Sequence, residues 1–251
     1  MEQVGCKVGI GVATGCDRVY IGALDKLPVE SSRKLPLVMA RDVVNGEIRG
    51  GGKGVVNPFL PEAGVVDLAN YPELAAYFHK HYEAVAGRHV ATKSGGAGFR
   101  TIDQIYPDLL RQPKLLVPDI KGEATFVLDE GHYYPHHNLD YITSSQWDIR
   151  ALQAVLRSSV TVLFVATYCT RMSGGFLRFQ AQYLRRIRIP RWQEVPLELR
   201  DQLARVTSAK DQQVIDEPVF RLYGLSSDDA QLTRFMAVAA QVTGKRRNRR
   251  E

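Results

Sequence analysis

The chain has 251 residues, of which 45% are hydrophobic and 24% are charged, so it is long enough and apolar enough to bury a substantial core. Its formal net charge is +6, but the last seven residues carry five positive charges and one negative charge, so the rest of the chain is only mildly basic at +2. Three scattered cysteines fit a reducing compartment better than a disulfide framework. The sequence shows neither a signal peptide nor an apolar run of membrane length, so we expect a cytoplasmic protein without a membrane partner.

Apolar patterning predicts strands in the first part of the chain and helices toward its end. Short runs rich in valine, isoleucine and leucine predict strands at residues 4–10, 18–21, 37–40, 114–119, 125–128 and 140–143. Apolar residues at helical spacing predict helices at residues 70–88, 145–164, 196–206 and 228–242. This order indicates an α+β fold, with a mixed β-sheet and packed helices followed by a helical C-terminal part.

The predicted helices carry two further signals. On the helix at residues 70–88, one face holds Tyr71, Leu74, Ala75, Phe78, Tyr82 and Val85. The helix at residues 145–164 begins with a Ser145 cap, and Asp148 three residues later completes a capping box. We divide the chain into a main domain at residues 1–192, a helical part at residues 193–243 and a basic, disordered tail at residues 244–251.

The most unusual stretch is the arginine segment, residues 169–192, which contains no lysine and no acidic residue. Its six arginines are Arg171, Arg178, Arg185, Arg186, Arg188 and Arg191. Arginines without compensating acids repel one another unless an anion lies nearby, and the guanidinium fork suits phosphate groups and guanine edges. The segment therefore indicates a polyanionic partner, with DNA as the first choice. We expect its aromatic residues, Phe176, Phe179 and Tyr183, to belong to the core more than to stack on bases.

Two short motifs resemble cofactor loops, but the residues favour structural turns. The glycines at positions 9, 11 and 15 are followed by residues that read as turn and strand, whereas a dinucleotide loop needs a helix there. The run Asn57-Pro58-Phe59 lacks the second proline of the loop with which amino-methyltransferases hold a flipped base, so a plain turn is favoured. We expect no cofactor and no catalytic residue in this chain.

Two clusters of polar residues leave alternatives open. Asp108, Asp119 and Lys121 have the outline of a Mg²⁺-dependent nuclease, in which two acids hold the metal and a lysine helps to activate water. His132, His136 and His137 stand among acidic residues, but Pro135 prevents helical spacing of the histidines, so we expect no metal. A surface loop that offers histidine and Asn138 to a nucleic acid, and plain structural packing, both remain open for this stretch.

Five ordered segments together resemble a known family. They are Pro-Lys-Leu-Leu-Val-Pro-Asp-Ile at residues 113–120, Gly-His-Tyr-Tyr-Pro-His-His-Asn opening residues 131–143, Gly-Gly-Phe-Leu-Arg-Phe-Gln opening residues 174–190, the glycine-rich residues 9–17, and residues 216–225 with their Leu-Tyr-Gly-Leu ending. The set, which covers most of the chain, resembles the TaqI-like C-terminal specificity domain of adenine-specific DNA methyltransferases and restriction-modification enzymes.

This resemblance implies a target recognition domain, placed at residues 1–192, that binds double-stranded DNA in a restriction-modification or phage-defence system. In the family, a separate N-terminal domain binds S-adenosylmethionine and methylates a flipped adenine. The present chain departs from the full pattern, because it has no glycine-rich cofactor strand and helix and no intact Asn-Pro-Pro-Tyr motif. We therefore expect it to be inactive alone, with the cofactor bound by a missing catalytic domain or partner subunit.

The residues themselves give a set of DNA-binding candidates. The candidates for phosphate and groove contacts are Arg171, Arg178, Arg185, Arg186 and Arg188. The weaker base-reading candidates are Gln180, Gln182 and Asn138, and Lys121, His136 and His137 are further DNA-binding candidates. The rival interpretations are the Mg²⁺-dependent nuclease and an assembly subunit whose arginines dock onto an acidic protein.

Overall fold

A computed structural model describes residues 1–62, 64–88, 98–118, 125–169 and 177–226. The strands, in chain order, are β1 (Cys6–Ile10), β2 (Ile21–Ala23), β3 (Lys34–Val38), β4 (Val43–Val44), β5 (Glu47–Ile48), β6 (Lys53–Val56), β7 (Lys114–Pro118), β8 (Val127–Asp129), β9 (Tyr134–Pro135) and β10 (Leu139–Ser144). The helices are α1 (Asp17–Tyr20), α2 (Pro72–Lys80), α3 (Tyr82–Ala86), α4 (Pro107–Arg111), α5 (Ile149–Arg157), α6 (Ser159–Tyr168), α7 (Ala181–Leu184), α8 (Leu197–Val206) and α9 (Gln212–Leu222). Short 3-10 turns lie at Glu2–Val4, Ser31–Arg33, Ala40–Asp42, Leu68–Asn70 and Trp192–Glu194. The α+β prediction is confirmed.

The chain forms two compact units that interleave along the sequence. The first unit comprises the described residues of Met1–Gly9, Pro113–Leu128 and Asp140–Glu251, and the second comprises those of Ile10–Gln112 and Asp129–Leu139. This division differs from the predicted boundary at residue 192, because α8 and α9 pack on α5 within the first unit. The helix predicted at residues 228–242 and the tail at residues 244–251 lie outside the described residues.

In the first unit, a four-stranded sheet in the order β1-β10-β7-β8 supports the helices. The central strand β7 is buried at every position, as expected for a strand covered on both faces, whereas the edge strand β1 alternates between buried and more exposed residues. Helix α5 buries six consecutive residues from Ala151 to Leu156. One apolar core contains side chains from β1, β7, β10 and each of the helices described in this unit, α5 to α9.

The segment predicted as one helix at residues 145–164 is two helices, and its cap is not Ser145. Asp148 caps α5 by accepting hydrogen bonds from the backbone N–H groups of Arg150 and Ala151, so the predicted capping box is wrong. Ser158 ends α5 and accepts from the Thr161 N–H to begin α6. None of the described helices is by itself long and apolar enough to cross a membrane; only α5 and α6 taken together pass that test, and they are bent by 64°.

The second unit holds another four-stranded sheet, in the order β2-β6-β3-β9. Strands β2 and β3 pair antiparallel with β6, and β9 pairs parallel with β3. Strands β4 and β5 form a separate hairpin whose two-residue turn is Asn45-Gly46, with φ angles of 52° and 78°. Both residues need a positive φ to follow the twist of the strands, which explains the Asn-Gly pair.

Two predictions in the second unit are wrong. Residues 17–20, predicted mostly as strand, form the single helical turn α1, and the strand begins at Ile21. The helix predicted at residues 70–88 breaks at His81 into α2 and α3. Leu74, Phe78 and Val85 are buried as predicted, but the break turns the Tyr82 side chain outward, where it is 65% exposed.

Candidate nucleic-acid interface

The described part of the arginine segment alternates between core anchors and exposed arginines. Phe179, Leu184, Ile187 and Ile189 are buried in the core of the first unit. Arg186 and Arg188 are exposed, so the buried isoleucines beside them hold the backbone while the guanidinium groups face solvent. The buried residues therefore hold the backbone in a position from which the neighbouring arginine side chains extend into solvent.

Arg185 has an acidic partner and a backbone partner within the first unit. Its Nε atom lies 3.4 Å from a Glu2 carboxylate oxygen, and its Nη2 atom donates a hydrogen bond of 2.9 Å to the carbonyl oxygen of Val8. The premise that these arginines lack acidic neighbours is therefore wrong for Arg185. The side chain is 44% exposed, and its main role is to tie the arginine segment to the start of β1.

Arg186 and Arg188 are held in place without being neutralised by an acid in the described residues. The Arg186 guanidinium lies 5.6 Å from the centre of the Tyr168 ring, a cation–π arrangement that fixes its direction. The carbonyl oxygen of Arg188 accepts a 2.7 Å hydrogen bond from the Tyr223 hydroxyl, and burial raises the pKa of that tyrosine. The Arg188 backbone is thus fixed while its side chain remains exposed.

The other residues singled out in the arginine segment range from exposed to buried. Gln182 is exposed and donates from Nε2 to the Oε1 atom of Gln180, 3.3 Å away, while Arg178 and Gln180 are half-buried. Phe179 packs edge-on against Phe126 with ring centres 6.0 Å apart, which confirms its assignment to the core. The candidates Arg171 and Phe176 lie outside the described residues.

In the second unit, the histidine candidates have different environments. The His136 side chain is 3% exposed, and its Nε2 atom lies 3.1 Å from Oδ2 of Asp17, so this ring nitrogen faces the carboxylate, and the DNA contact predicted for His136 stays a prediction. His137 is exposed, with its ring centre 4.0 Å from that of His136. His132 is also exposed, and its Nδ1 atom lies 3.7 Å from an Asp129 oxygen.

Backbone contacts hold this histidine loop rigidly. The N–H group of His136 donates to the carbonyl of Val38, and the N–H group of His137 donates to that of Val12. The Oδ1 atom of Asn138 accepts from the Ala40 N–H at 3.0 Å, so this amide supports the loop with its oxygen. Among the residues that the structure describes, the NH₂ group of Asn138 has no hydrogen-bond partner, so base reading by Asn138 would depend on that group.

Hydrogen bonds and charge also set the titration of this cluster. Burial works to raise the pKa of Asp17, but the hydrogen bond from Thr14 and the nearby His136 and His137 outweigh it and hold the pKa below its ordinary value. Burial and the neighbouring His136 lower the pKa of His137. At neutral pH this arrangement favours a charged carboxylate beside neutral imidazole at His137.

The motifs that resemble cofactor loops have structural contacts. A Cβ atom on Gly11 would lie 2.3 Å from the carbonyl oxygen of His136, so the loop needs glycine for close backbone approach. Asn57 accepts a hydrogen bond from the Phe59 N–H, as in the plain turn that the sequence favours.

Of the three residues in the nuclease alternative, the structure describes only Asp108. Asp108 lies in the first turn of α4, whereas Asp119 and Lys121 lie outside the described residues. The metal and DNA roles suggested for these three residues therefore stay predictions.

Sequence reasoning missed the lysine, arginine and histidine side chains around α2 and α3. Arg18, His79, Lys80 and His81 line an open cavity of about 700 Å³ together with Glu83. A second omission is Arg88, whose guanidinium donates to the carbonyls of Thr14, Gly98 and Arg100 and to the Tyr20 hydroxyl. No local signal identifies these residues, because their partners are distant in the sequence.

Comparison with known proteins places these features in context. No family model matches the sequence. The chain is 56% identical over 229 residues to the type II methyltransferase M.PaeR7I of Pseudomonas aeruginosa, a match that covers 91% of this chain and 40% of that protein. It is 57% identical over 226 residues to the type II methyltransferase M.XhoI of Xanthomonas vasicola, covering 90% of this chain and 41% of that protein. M.BstVI of Geobacillus stearothermophilus, also a type II methyltransferase, is 42% identical over 227 residues, with 90% and 40% covered.

Solved structures resemble the fold at low sequence identity. The type IIL restriction-modification enzyme MmeI, determined in complex with DNA, matches 95% of this chain and 35% of its own with a TM-score of 0.63 and 13% identity. The type IIG restriction endonuclease BpuSI matches 96% of this chain and 30% of its own with a TM-score of 0.58 and 10% identity. The chain spans about 40% of the length of the curated relatives it matches and is thus similar to one part of type II methyltransferases.

Proposed function

We propose that this chain is the target recognition part of an adenine-specific type II DNA methyltransferase, with a TaqI-like specificity domain. In this function it binds double-stranded DNA at a specific sequence, within a restriction-modification system that acts in phage defence in the cytoplasm. The observation that carries the proposal is the 56% identity to the type II methyltransferase M.PaeR7I over 229 residues, which is 91% of this chain.

The proposal assigns the cofactor to a different part of the assembly. S-adenosylmethionine and methyl transfer would belong to a catalytic domain or partner subunit, and this chain would hold the duplex while the adenine is flipped out of the stack. Support comes from the share of the relatives that the chain spans, about 40% of their length.

Arg186 and Arg188 are the strongest phosphate-binding candidates. Both are exposed, both are fixed by neighbouring groups, and no acid in the described residues pairs with either. Each phosphate contact releases condensed counterions from DNA, so affinity should fall steeply with salt. Gln182, exposed on α7 beside them, has the amide group that pairs with adenine N6 and N7. Arg171, Arg178, Lys121, Gln180, His137 and Asn138 remain secondary candidates.

Duplexes enriched from a random-sequence library provide the probe, because the recognised site is unknown. Affinity is measured by fluorescence anisotropy without Mg²⁺ over a range of salt concentrations. Arg186→Ala combined with Arg188→Ala should weaken binding at least tenfold and reduce the slope of log affinity against log salt by about 1.8, since each lost contact contributes about 0.9. Arg205→Ala removes an exposed arginine of α8 outside the segment and should leave the slope unchanged.

Three results would overturn the proposal. One is failure of the library to yield any preferred duplex. Another is equal slopes for the double variant and Arg205→Ala, which would favour docking onto an acidic protein. The third is cleavage of the duplex when Mg²⁺ is added, which would favour the nuclease.

A further inference from the structure

Three side chains that bind metals in other proteins meet in the second unit. Asp17, His136 and His137 each offer one ligand atom, and these atoms all lie within 4.8 Å of one another. Asp17 comes from α1, whereas the histidines follow β9, more than one hundred residues later in the chain. The cluster is therefore created by the tertiary fold and differs from the set His132, His136 and His137 considered from the sequence.

The closest pair already has the spacing of metal ligands. Nε2 of His136 and Oδ2 of Asp17 lie 3.1 Å apart. In a tetrahedral zinc site with bonds of 2.0–2.1 Å, neighbouring ligand atoms are separated by about 3.3 Å. His137 is exposed, and its ligand atom already lies within 4.8 Å of the other two, so only a small side-chain adjustment is needed for it to join the same cation.

The supporting contacts pre-organise the site. The backbone N–H groups of His136 and His137 are hydrogen-bonded to the carbonyls of Val38 and Val12, and the backbone at Gly11 packs closely against that of Pro135 and His136. The Thr14 hydroxyl, which is fully buried, donates to the other Asp17 oxygen at 2.5 Å and orients the carboxylate. A cation would therefore meet ligands that are largely ordered before it binds.

The His136 ring provides an independent observation. Its Nδ1 atom is buried, and among the described residues it has no hydrogen-bond partner. No second hydrogen bond therefore fixes the tautomer, and the hydrogen-bond partner of the ring in the described residues is the carboxylate at Nε2. A metal bound here would replace the Nε2–H···Oδ2 hydrogen bond with bonds from both atoms to the cation and would release the Nε2 proton.

We propose that Asp17, His136 and His137 form a binding site for a zinc-class divalent transition metal. Two imidazoles and one carboxylate are borderline ligands that suit Zn²⁺ and Co²⁺ better than Mg²⁺ or Ca²⁺. Because Asp17 and His137 are both open to solvent, the remaining coordination positions hold water or an exogenous ligand. The inference is independent of the proposed DNA-binding function.

Titration of the metal-free chain with Co²⁺ tests the site, because tetrahedral Co²⁺ gives visible absorption that reports its ligands directly. We expect one equivalent to bind, Zn²⁺ to displace it, and excess Mg²⁺ to leave the spectrum unchanged. Asp17→Asn and His137→Ala should each weaken Co²⁺ binding at least tenfold. His132→Ala is the matched control, since this exposed histidine belongs to the same loop but not to the cluster, and it should bind like the unmodified chain.

Circular dichroism of each variant verifies that the fold is retained, and His137 is suited to this comparison because its side chain is exposed. The proposal is overturned if the unmodified chain gives no visible band with Co²⁺. It is also overturned if His132→Ala weakens binding as much as His137→Ala does, because the metal would then be held elsewhere.

Discussion

Replacing Asp216 with alanine should destabilise the first unit strongly. Its carboxylate, 2% exposed, lies on α9 and accepts two hydrogen bonds from Ser159 at the start of α6. The backbone N–H donates at 2.7 Å and the hydroxyl at 2.6 Å. Gln212 adds a bond of 3.0 Å from a more exposed position. The carboxylate thus holds the first turn of α6 to a helix that follows it by more than fifty residues.

The magnitude follows from the two buried hydrogen bonds. A hydrogen bond to a charged group contributes about 1.5–3 kcal/mol, so removing both costs about 3–6 kcal/mol, and the partly buried bond from Gln212 is left out of this sum. For a chain of this size, 1 kcal/mol shifts the melting temperature by about 2–4 °C. We therefore expect Asp216→Ala to lower the melting temperature by at least about 6 °C.

Tryptophan fluorescence during thermal and urea unfolding measures this effect. The two tryptophans of the chain, Trp147 and Trp192, lie in the first unit with ring centres 4.7 Å apart, so they report its unfolding. Asp211→Ala is the matched control, because Asp211 caps the same helix through one exposed bond to the Gln213 N–H and should cost about 1 kcal/mol. If Asp216→Ala is no more destabilising than Asp211→Ala, the reasoning from buried hydrogen bonds is refuted. An unchanged tryptophan transition would instead support a separate domain after residue 192.

Two further predictions concern the second unit. Gly11→Ala should lower the free energy of unfolding, measured in urea, by about 1–3 kcal/mol, because the new methyl group would lie 2.3 Å from the His136 carbonyl oxygen. Gly87→Ala is the control, since a methyl group there meets no atom within 4 Å and should leave the stability nearly unchanged. Equal effects of the two substitutions would contradict this explanation. Asp17→Asn should be less stable than the unmodified chain at neutral pH. Folding lowers the pKa of the Asp17 carboxyl below its unfolded value near 3.8, so the charged carboxylate stabilises the folded state at any pH above 3.8. That difference should shrink as pH falls through the lower folded pKa, and urea unfolding from pH 3 to 7 that shows a constant difference would contradict it.

Several elements were predictable because their signals are local. Strands β1, β7 and β10 and helix α8 lie close to their predicted positions, since apolar periodicity over a few residues reflects which backbone faces are buried. Phe179 was assigned to the core for the same reason. The exposed positions of Arg186 and Arg188 agree with an acid-free segment that must keep its charges in solvent.

The errors arise where a neighbouring element decides the local structure. Residues 17–20 have strand-like composition but form a helical turn, in which the Thr14 hydroxyl bonds Asp17. The apolar face at residues 70–88 continues across His81, yet the helix breaks there and Tyr82 faces outward. Helix α9 was not predicted, although its buried Ile215 and Val219 pack inward. Propensity is a weak prior that such contacts override.

The candidate site also separates what local sequence predicts from what contacts between distant segments decide. The sequence by itself determined the α+β class, the strands with strong apolar patterns and the acid-free character of the arginine segment, because these depend on neighbouring residues. Only the tertiary structure decided that Arg185 meets Val8, 177 residues away, and that His136 meets Asp17, 119 residues away. Such pairs depend on how distant segments pack, and a one-dimensional pattern of hydrophobicity and charge carries no information about which distant side chains will face each other.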